Sequence, residues 1–195
     1  VSDSTYRFFF ALDQACGNGA EPSKVPLCLF NTCSNTKITD SMSKWAGTPP
    51  VSTYNPHCPS VKTACDSIGS TVPGYKTFWY SKIVTLPSRC NSWKIYSYVS
   101  GRAATNNINN SINTAIYFEA TLNNFITHQN SSPYYSSRRM PATYQNVIFS
   151  NNFAVIDADG DSLITEIIHP RTGVNACNDT PLNVTYTVTT PTISI

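Results

Sequence analysis

Hydrophobic and polar residues alternate with a period of two through much of the chain, and an apolar period of 3.6 residues is nearly absent. The clearest alternation runs over residues 93–99, where one face carries Trp93, Ile95, Ser97 and Val99. The runs predicted to form strands span residues 6–12, 25–30, 75–86, 93–99, 116–122, 162–168 and 182–188. Turn residues such as Pro, Gly and Ser separate these runs, and short strands punctuated in this way predict an all-β fold of the sandwich type.

Asparagine-rich turns near residues 123–132 interrupt the strands and mark a domain boundary. We therefore predict two immunoglobulin-like β-sandwich domains in tandem, residues 1–124 and 125–195. The second, of the immunoglobulin or cadherin type, is shorter than an immunoglobulin domain of about 100 residues, so we expect it to be incomplete in this chain. Within the first domain, residues 31–72 are rich in Pro, Ser, Thr and Cys and lack periodicity, which predicts a long cysteine-containing loop.

Composition narrows the class of protein. Charged residues make up 12% of the 195 residues, about half the usual share, while aromatic residues also reach 12%. A disordered polar tract lacks such aromatic content, so the profile indicates an extracellular β-protein. The chain starts at Val1 without an initiator Met or an apolar signal segment, so we expect a mature or partial chain of a longer protein.

Two classes of partner are not expected. The net charge is +2, and no run of Lys and Arg forms the clustered stripe that nucleic-acid binding needs. No segment approaches the roughly 18 apolar residues of a membrane span. We predict neither a nucleic-acid partner nor a membrane span in this chain.

Seven cysteines are many for a reducing compartment and ordinary for an oxidising one. A zinc site is the alternative, but the cysteines are not spaced as CxxC pairs and no second knuckle follows. Disulfides are therefore favoured, with one cysteine left without a partner in this chain. The predicted pairs, in order of preference, are Cys58–Cys65, Cys28–Cys33 and Cys16–Cys90.

Several sequence blocks carry a resemblance. They are GYKTFWY at 74–80, VTLP at 84–87, CNSW at 90–93, YFEATLNN at 117–124 and VIDADGDSL at 155–163. In order and spacing they resemble a family of very large, type IX-secreted, gliding-motility-associated proteins of Bacteroidota, which includes the SprB-type surface adhesins. The resemblance implies a non-catalytic module of a cell-surface adhesin or filament, used in attachment or gliding. Its partners would be other domains or copies of the same protein, and surface polysaccharide.

The resemblance also implies O-glycosylation, because proteins of this phylum are modified at Asp-Ser/Thr-apolar sites during export. A serine follows an aspartate at four positions, and three of the four also precede an apolar residue. The four candidates are Ser4, Ser41, Ser67 and Ser162. Sugars there would add bulk and solubility to a surface with few charges.

Three carboxylates alternate at Asp157, Asp159 and Asp161 around Gly160. On one strand face they would repel each other, and hard oxygen ligands suit Ca²⁺, so we predict a calcium site there. The alternative is an Asp-Gly hairpin turn between strands at 154–156 and 162–168. Both interpretations can hold together.

Two further functional classes stay open. Tyr134 and Tyr135 follow a proline and could stack on glycan, which would fit a carbohydrate-binding module of a secreted enzyme. A hydrolase is less favoured, because neither GxSxG nor HExxH occurs and Glu119 with Glu166 is the one carboxylate pair that strands suggest. We expect the chain not to be an enzyme.

Overall fold

Antiparallel strands dominate the computed structural model of the chain, and this confirms the predicted all-β class. The structure describes residues 4–17, 19–47, 50–55, 57–102, 108–126, 131–136, 150, 152, 154–166, 168–173, 177 and 182–184. The strands of the main sheet are β1 (Thr5–Ala15), β2 (Lys24–Asn31), β3 (Thr36–Lys44), β4 (Ser52–Tyr54), β5 (Tyr75–Thr85), β6 (Trp93–Val99) and β7 (Ile116–Leu122). Within the described residues, the helical element is one 3-10 turn, Ser111–Asn113.

The main sheet has the order β1-β5-β3-β2-β6-β7, and β4 also pairs with β5. Two small sheets accompany it. The first pairs β8 (Tyr134–Tyr135) with β9 (Val155–Ile156), and the second pairs β10 (Arg171–Thr172) with β11 (Leu182–Asn183). Five of the seven predicted strands, those matching β1, β2, β5, β6 and β7, are confirmed.

One face of the main sheet forms the hydrophobic core. The buried side chains of this core are Phe10, Leu12, Val25, Leu27, Leu29, Met42, Tyr80, Leu86, Cys90 and Trp93. On β6 the predicted face is confirmed, because Trp93 is fully buried and Ser97 donates a 2.7 Å hydrogen bond to the carbonyl of Pro26. Each large apolar side chain buried in this way stabilises the fold by about 1.5–3 kcal/mol.

The main sheet curls onto itself. β1 and β7 stand at opposite ends of the strand order, yet the rings of Phe10 and Phe118 meet edge-on with centroids 4.9 Å apart. Two strands that are not hydrogen-bonded neighbours therefore face each other across the core. The result is a sandwich-like enclosure made from one continuous sheet.

The predicted loop over residues 31–72 contains two strands, β3 and β4, so the loop prediction is wrong over those segments. In β3 only Ile38 and Met42 are apolar on the inner face, with Asp40 between them, and the outer positions are Lys, Thr and Ser. This alternation is too polar to stand out in the sequence. The register of β3 against β2 places Met42 opposite Val25 and Ile38 opposite Leu29, which supplies the missing apolar contacts.

The second half of the chain departs further from expectation. The described part of the predicted strand at 162–168 is not a strand, and its residues are exposed. The strand predicted at 182–188 is seen as β11, and residues 185–188 lie outside the described part of the chain. The division into two domains at residues 124 and 125 stays a prediction.

A short C-terminal segment, residues 171–173 and 177, packs on the outer face of β6 and β7. Tyr96 donates a 2.5 Å hydrogen bond from its hydroxyl to the carbonyl of Cys177, and the Arg102 guanidinium donates one of 2.8 Å to the carbonyl of Arg171. Gly173 lies against Tyr117, where an added Cβ would come within 3.2 Å of the ring. These contacts hold residues 171–173 and 177 against the main sheet.

Candidate functional site

Three disulfides cross-link the chain, and they differ from all three predicted pairs. The bonds are Cys16–Cys65, Cys28–Cys177 and Cys33–Cys90. The predictions of Cys58–Cys65, Cys28–Cys33 and Cys16–Cys90 were therefore wrong. Three disulfides require an oxidising compartment, extracellular or periplasmic, which agrees with the composition.

Strand geometry explains two of the corrections. Cys28 lies in β2, and the three residue steps from Cys28 to the end of the strand at Asn31 already cover roughly 10 Å of extended chain before the turn that holds Cys33. A disulfide needs Cα atoms about 4.4–6.8 Å apart. Cys16 follows the end of β1, beside the first residue of β5, and Cys90 lies beyond the last. The ten residues between those ends of β5 span roughly 33 Å, so the two cysteines cannot meet.

Strand pairing brings Cys16 close to its actual partner, Cys65. Cys65 packs at the start of β5, where its sulfur would lie 2.8 Å from a Cβ added to Gly74, and the carbonyl of Gly74 accepts a bond from the amide of Cys16. Cys58 is then left as an exposed free thiol, the odd cysteine that the count required.

The three aspartates of the predicted calcium site lie in a turn that their own hydrogen bonds stabilise. The Asp157 carboxylate accepts hydrogen bonds from the amides of Asp159 (2.8 Å) and Asp161 (3.2 Å), while Asp159 accepts one from the amide of Ser131. The predicted hairpin is wrong, because β9 pairs with β8 and no strand follows the turn in the described residues 161–166. In the part of the chain that the structure describes, no cluster of three His, Cys, Asp or Glu side chains could hold a metal. The calcium site stays a prediction.

Tyr134 and Tyr135 form β8, and each is 53% exposed. Successive side chains of a strand point to opposite faces, so the two rings do not combine into one flat platform. Glycan contact at these residues stays a prediction, with one ring available on each face.

The four serines predicted to carry sugar differ in exposure. Ser67 and Ser162 are exposed in loops, and Ile68 beside Ser67 is fully exposed. Ser4 and Ser41 are half-buried and lie against or within strands, with the carbonyl of Ser4 accepting a bond from Leu86. Attachment of a bulky sugar is therefore sterically easiest at the two loop serines.

An aromatic cluster that the sequence did not reveal lies on the outer face of the sheet. It consists of Arg7, Phe9 and Trp45, and we name it the arginine cluster. The Arg7 guanidinium lies 4.9 Å from the Trp45 ring centroid, and the Phe9 ring meets Trp45 edge-on at 5.5 Å. The Trp45 amide donates to the carbonyl of Trp79, and Gly47 packs against the indole, since a Cβ there would lie 2.3 Å from the ring. The ring is thus held in place while Phe9 stays 47% exposed.

A second cluster, the lysine cluster, consists of Phe30, Lys37 and Lys94. The Lys37 ammonium lies 5.8 Å from the Phe30 ring centroid, and the registers place Phe30 opposite Lys37 on β3 and opposite Lys94 on β6. Both clusters lie on one face, because the odd-numbered residues of β3 point outward from Lys37 to Ser43 and the hydrogen bond of Trp45 to Trp79 continues the pairing with β5 by one residue. The alternation of side chains along each strand can be predicted from the sequence. The strand order, which cannot, brings the residues of each cluster together.

Glu119, one carboxylate of the glycosidase pair that strands suggested, is engaged with its neighbours. It accepts a 2.7 Å hydrogen bond from the Tyr117 hydroxyl and lies 3.9 Å from the Arg171 guanidinium. Burial and the hydrogen bond to Glu119 both raise the pKa of Tyr117. Glu166 lies in the exposed segment after the aspartate turn, so the two carboxylates are not on paired strands.

Comparison with family models, with characterised proteins and with solved structures found no match to this chain. No helix in the described residues is long and apolar enough to cross a membrane. The class defined by the fold is thus a disulfide-linked all-β protein of an oxidising compartment.

Proposed function

We propose that the chain is a non-catalytic extracellular module of a large bacterial cell-surface adhesin or filament, acting in surface attachment or gliding. The observation that carries the proposal is the set of three disulfides, which join cysteines 49, 149 and 57 residues apart in the sequence. The Cys28–Cys177 bond spans 149 residues and links residue 177 to the second strand. Such links resist extension of the chain under pulling force, which is the demand placed on a surface fibre.

The surface composition supports the same role. Few charges and many hydroxyl groups cover the outer strands, with exposed Lys37, Thr39 and Ser43 on β3. The sequence blocks that resemble gliding-associated surface proteins include β5, the start of β6 and β7, which form part of the main sheet. The main sheet would be the structural unit of the fibre, and its partners would be other copies of the protein or neighbouring domains.

Antibody labelling of intact cells of the native host tests the proposal. We expect the module to be labelled without permeabilisation, and monovalent antibody fragments to reduce attachment or gliding. Labelling that appears only in permeabilised cells would contradict it. An antibody against a cytoplasmic protein serves as the control for cell integrity.

A carbohydrate-binding module of a secreted enzyme is the second candidate, and the exposed aromatic rings of the outer face favour it. The two candidates differ in where the parent protein resides. An adhesin stays on cells, whereas a secreted enzyme is released together with an activity that depolymerises its polysaccharide. Immunoprecipitation from cells and from culture medium, followed by a hydrolysis assay, separates them.

A further inference from the structure

The outer face of β3 joins the arginine cluster to the lysine cluster. Trp45 follows the last residue of β3 and lies eight residue steps from Lys37, a distance of roughly 26 Å at about 3.3 Å per step. Between them the outward positions are Thr39, Ser41 and Ser43, which carry hydroxyl groups. The face is therefore a hydroxyl-lined track with a cation and an aromatic ring at each end.

The cations of this track have no ion-pair partner in the described part of the chain. Two other lysines of the main sheet do have such partners, Lys44 with Glu21 and Lys82 with Asp40. Arg7 and Lys37 instead lie over aromatic rings, which leaves their charge available to an anion.

We propose that this track binds an anionic polysaccharide whose acidic groups are carboxylates. The aromatic rings would stack on the C–H faces of sugars, the hydroxyls of β3 would bond sugar hydroxyls, and the guanidinium of Arg7 would pair with a carboxylate. Three cations spread over roughly 26 Å lie much further apart than the phosphates of a nucleic acid. This wide spacing favours a polysaccharide over a nucleic acid as the ligand. The inference rests on the proposed extracellular role and names its ligand class.

Calorimetric titration of the purified chain with polygalacturonate tests the site. Fully methyl-esterified polygalacturonate is the matched probe, since it keeps the backbone and loses the charge. We expect binding to the acid form that weakens as salt rises to about 1 M, where the screening length falls to about 3 Å. Trp45→Ala and Arg7→Gln should each weaken binding about tenfold or more.

Matched controls separate the track from other surfaces. Arg89→Gln removes one exposed charge outside the track, and Phe125→Ala removes an exposed ring elsewhere, so both should bind within about twofold of the unaltered chain. Trp45→Phe keeps a ring and should retain most of the binding, which guards against a folding defect in Trp45→Ala.

Several results would overturn the proposal. They are absence of binding by the unaltered chain, equal binding of the methyl ester, tighter binding of a single-stranded oligonucleotide, and loss of binding in Phe125→Ala but not in Trp45→Ala. The titration uses the purified chain. Its failure would therefore leave the cell-labelling result, and with it the proposed location, untouched.

Discussion

Removal of the Cys28–Cys177 disulfide probes the longest covalent link in the structure. The change is the double substitution Cys28→Ala and Cys177→Ala, because a single substitution would leave a buried free thiol. Both cysteines are buried. The non-covalent contacts of residues 171–173 and 177 with the sheet include hydrogen bonds from Tyr96 and Arg102 and the ion pair of Arg171 with Glu119. The segment around residue 177 is then held by non-covalent contacts.

The magnitude follows from the length of the loop that the bond closes. A closed loop of 149 residues restricts the unfolded chain by about 5 kcal/mol at 25 °C in the entropic account. The Cys33–Cys90 bond shortens the covalent path between residues 28 and 177 to about 92 residues, which lowers the figure to about 4.5 kcal/mol. Since whole domains are stable by about 5–15 kcal/mol, this loss is large.

Guanidinium unfolding under non-reducing conditions measures the effect. We expect the double variant to lose about 3–5 kcal/mol of unfolding free energy, and hydrogen exchange to accelerate at residues 171–173. Cys58→Ala is the matched control, since Cys58 is exposed and unpaired, and it should change stability by less than about 0.5 kcal/mol. A loss below about 1 kcal/mol in the double variant would refute the reasoning.

Three further predictions follow from single groups. Burial raises the pKa of Tyr80 to about 12, so between its ordinary value of 10.0 and about 12 the unfolded chain loses a proton that the folded chain keeps. Stability should fall as pH rises through that window, and less steeply in Tyr80→Phe; equal unfolding midpoints from about pH 9 to pH 11 in both would contradict this. Mass mapping of native material should find sugar at Ser67 and Ser162 rather than at the two half-buried serines, and bare peptides at both loop sites would end the glycosylation prediction. Calcium should raise the melting temperature of the unaltered chain but not of Asp159→Asn, and a chelator should reverse the rise. Identical melting temperatures in all samples would contradict the calcium site and leave the turn at Asp157 as the sole role of these aspartates.

The alternating pattern predicted strands where apolar residues dominate one face. Trp93 and Ile95 allowed β6 to be predicted, and the aromatic residues Phe8 and Phe10 allowed β1 to be predicted. β3 was missed because its inner face offers only Ile38 and Met42, whose contacts come from β2. A strand that depends on its partner for apolar contacts leaves a weak local signal.

Disulfide pairing and the outer track could not be predicted because they depend on strand order. Cys28 and Cys177 are 149 residues apart, and no local spacing relates them. Arg7 meets Trp45 because β5 lies between β1 and β3 in the sheet. The hairpin predicted at the aspartate turn was wrong for a different reason. The Asp157 carboxylate accepts hydrogen bonds from the amides of Asp159 and Asp161, where the second strand of a hairpin would begin.

We propose that this disulfide-linked sheet lies on the outside of the cell. The most direct measurement is brief protease treatment of intact native-host cells, followed by mass spectrometry of the released peptides without reduction. The account predicts released peptides joined as Cys16–Cys65, Cys28–Cys177 and Cys33–Cys90, with Cys58 outside these three pairs. Peptides that appear only after cell lysis, or that carry reduced cysteines at these six positions, would contradict it.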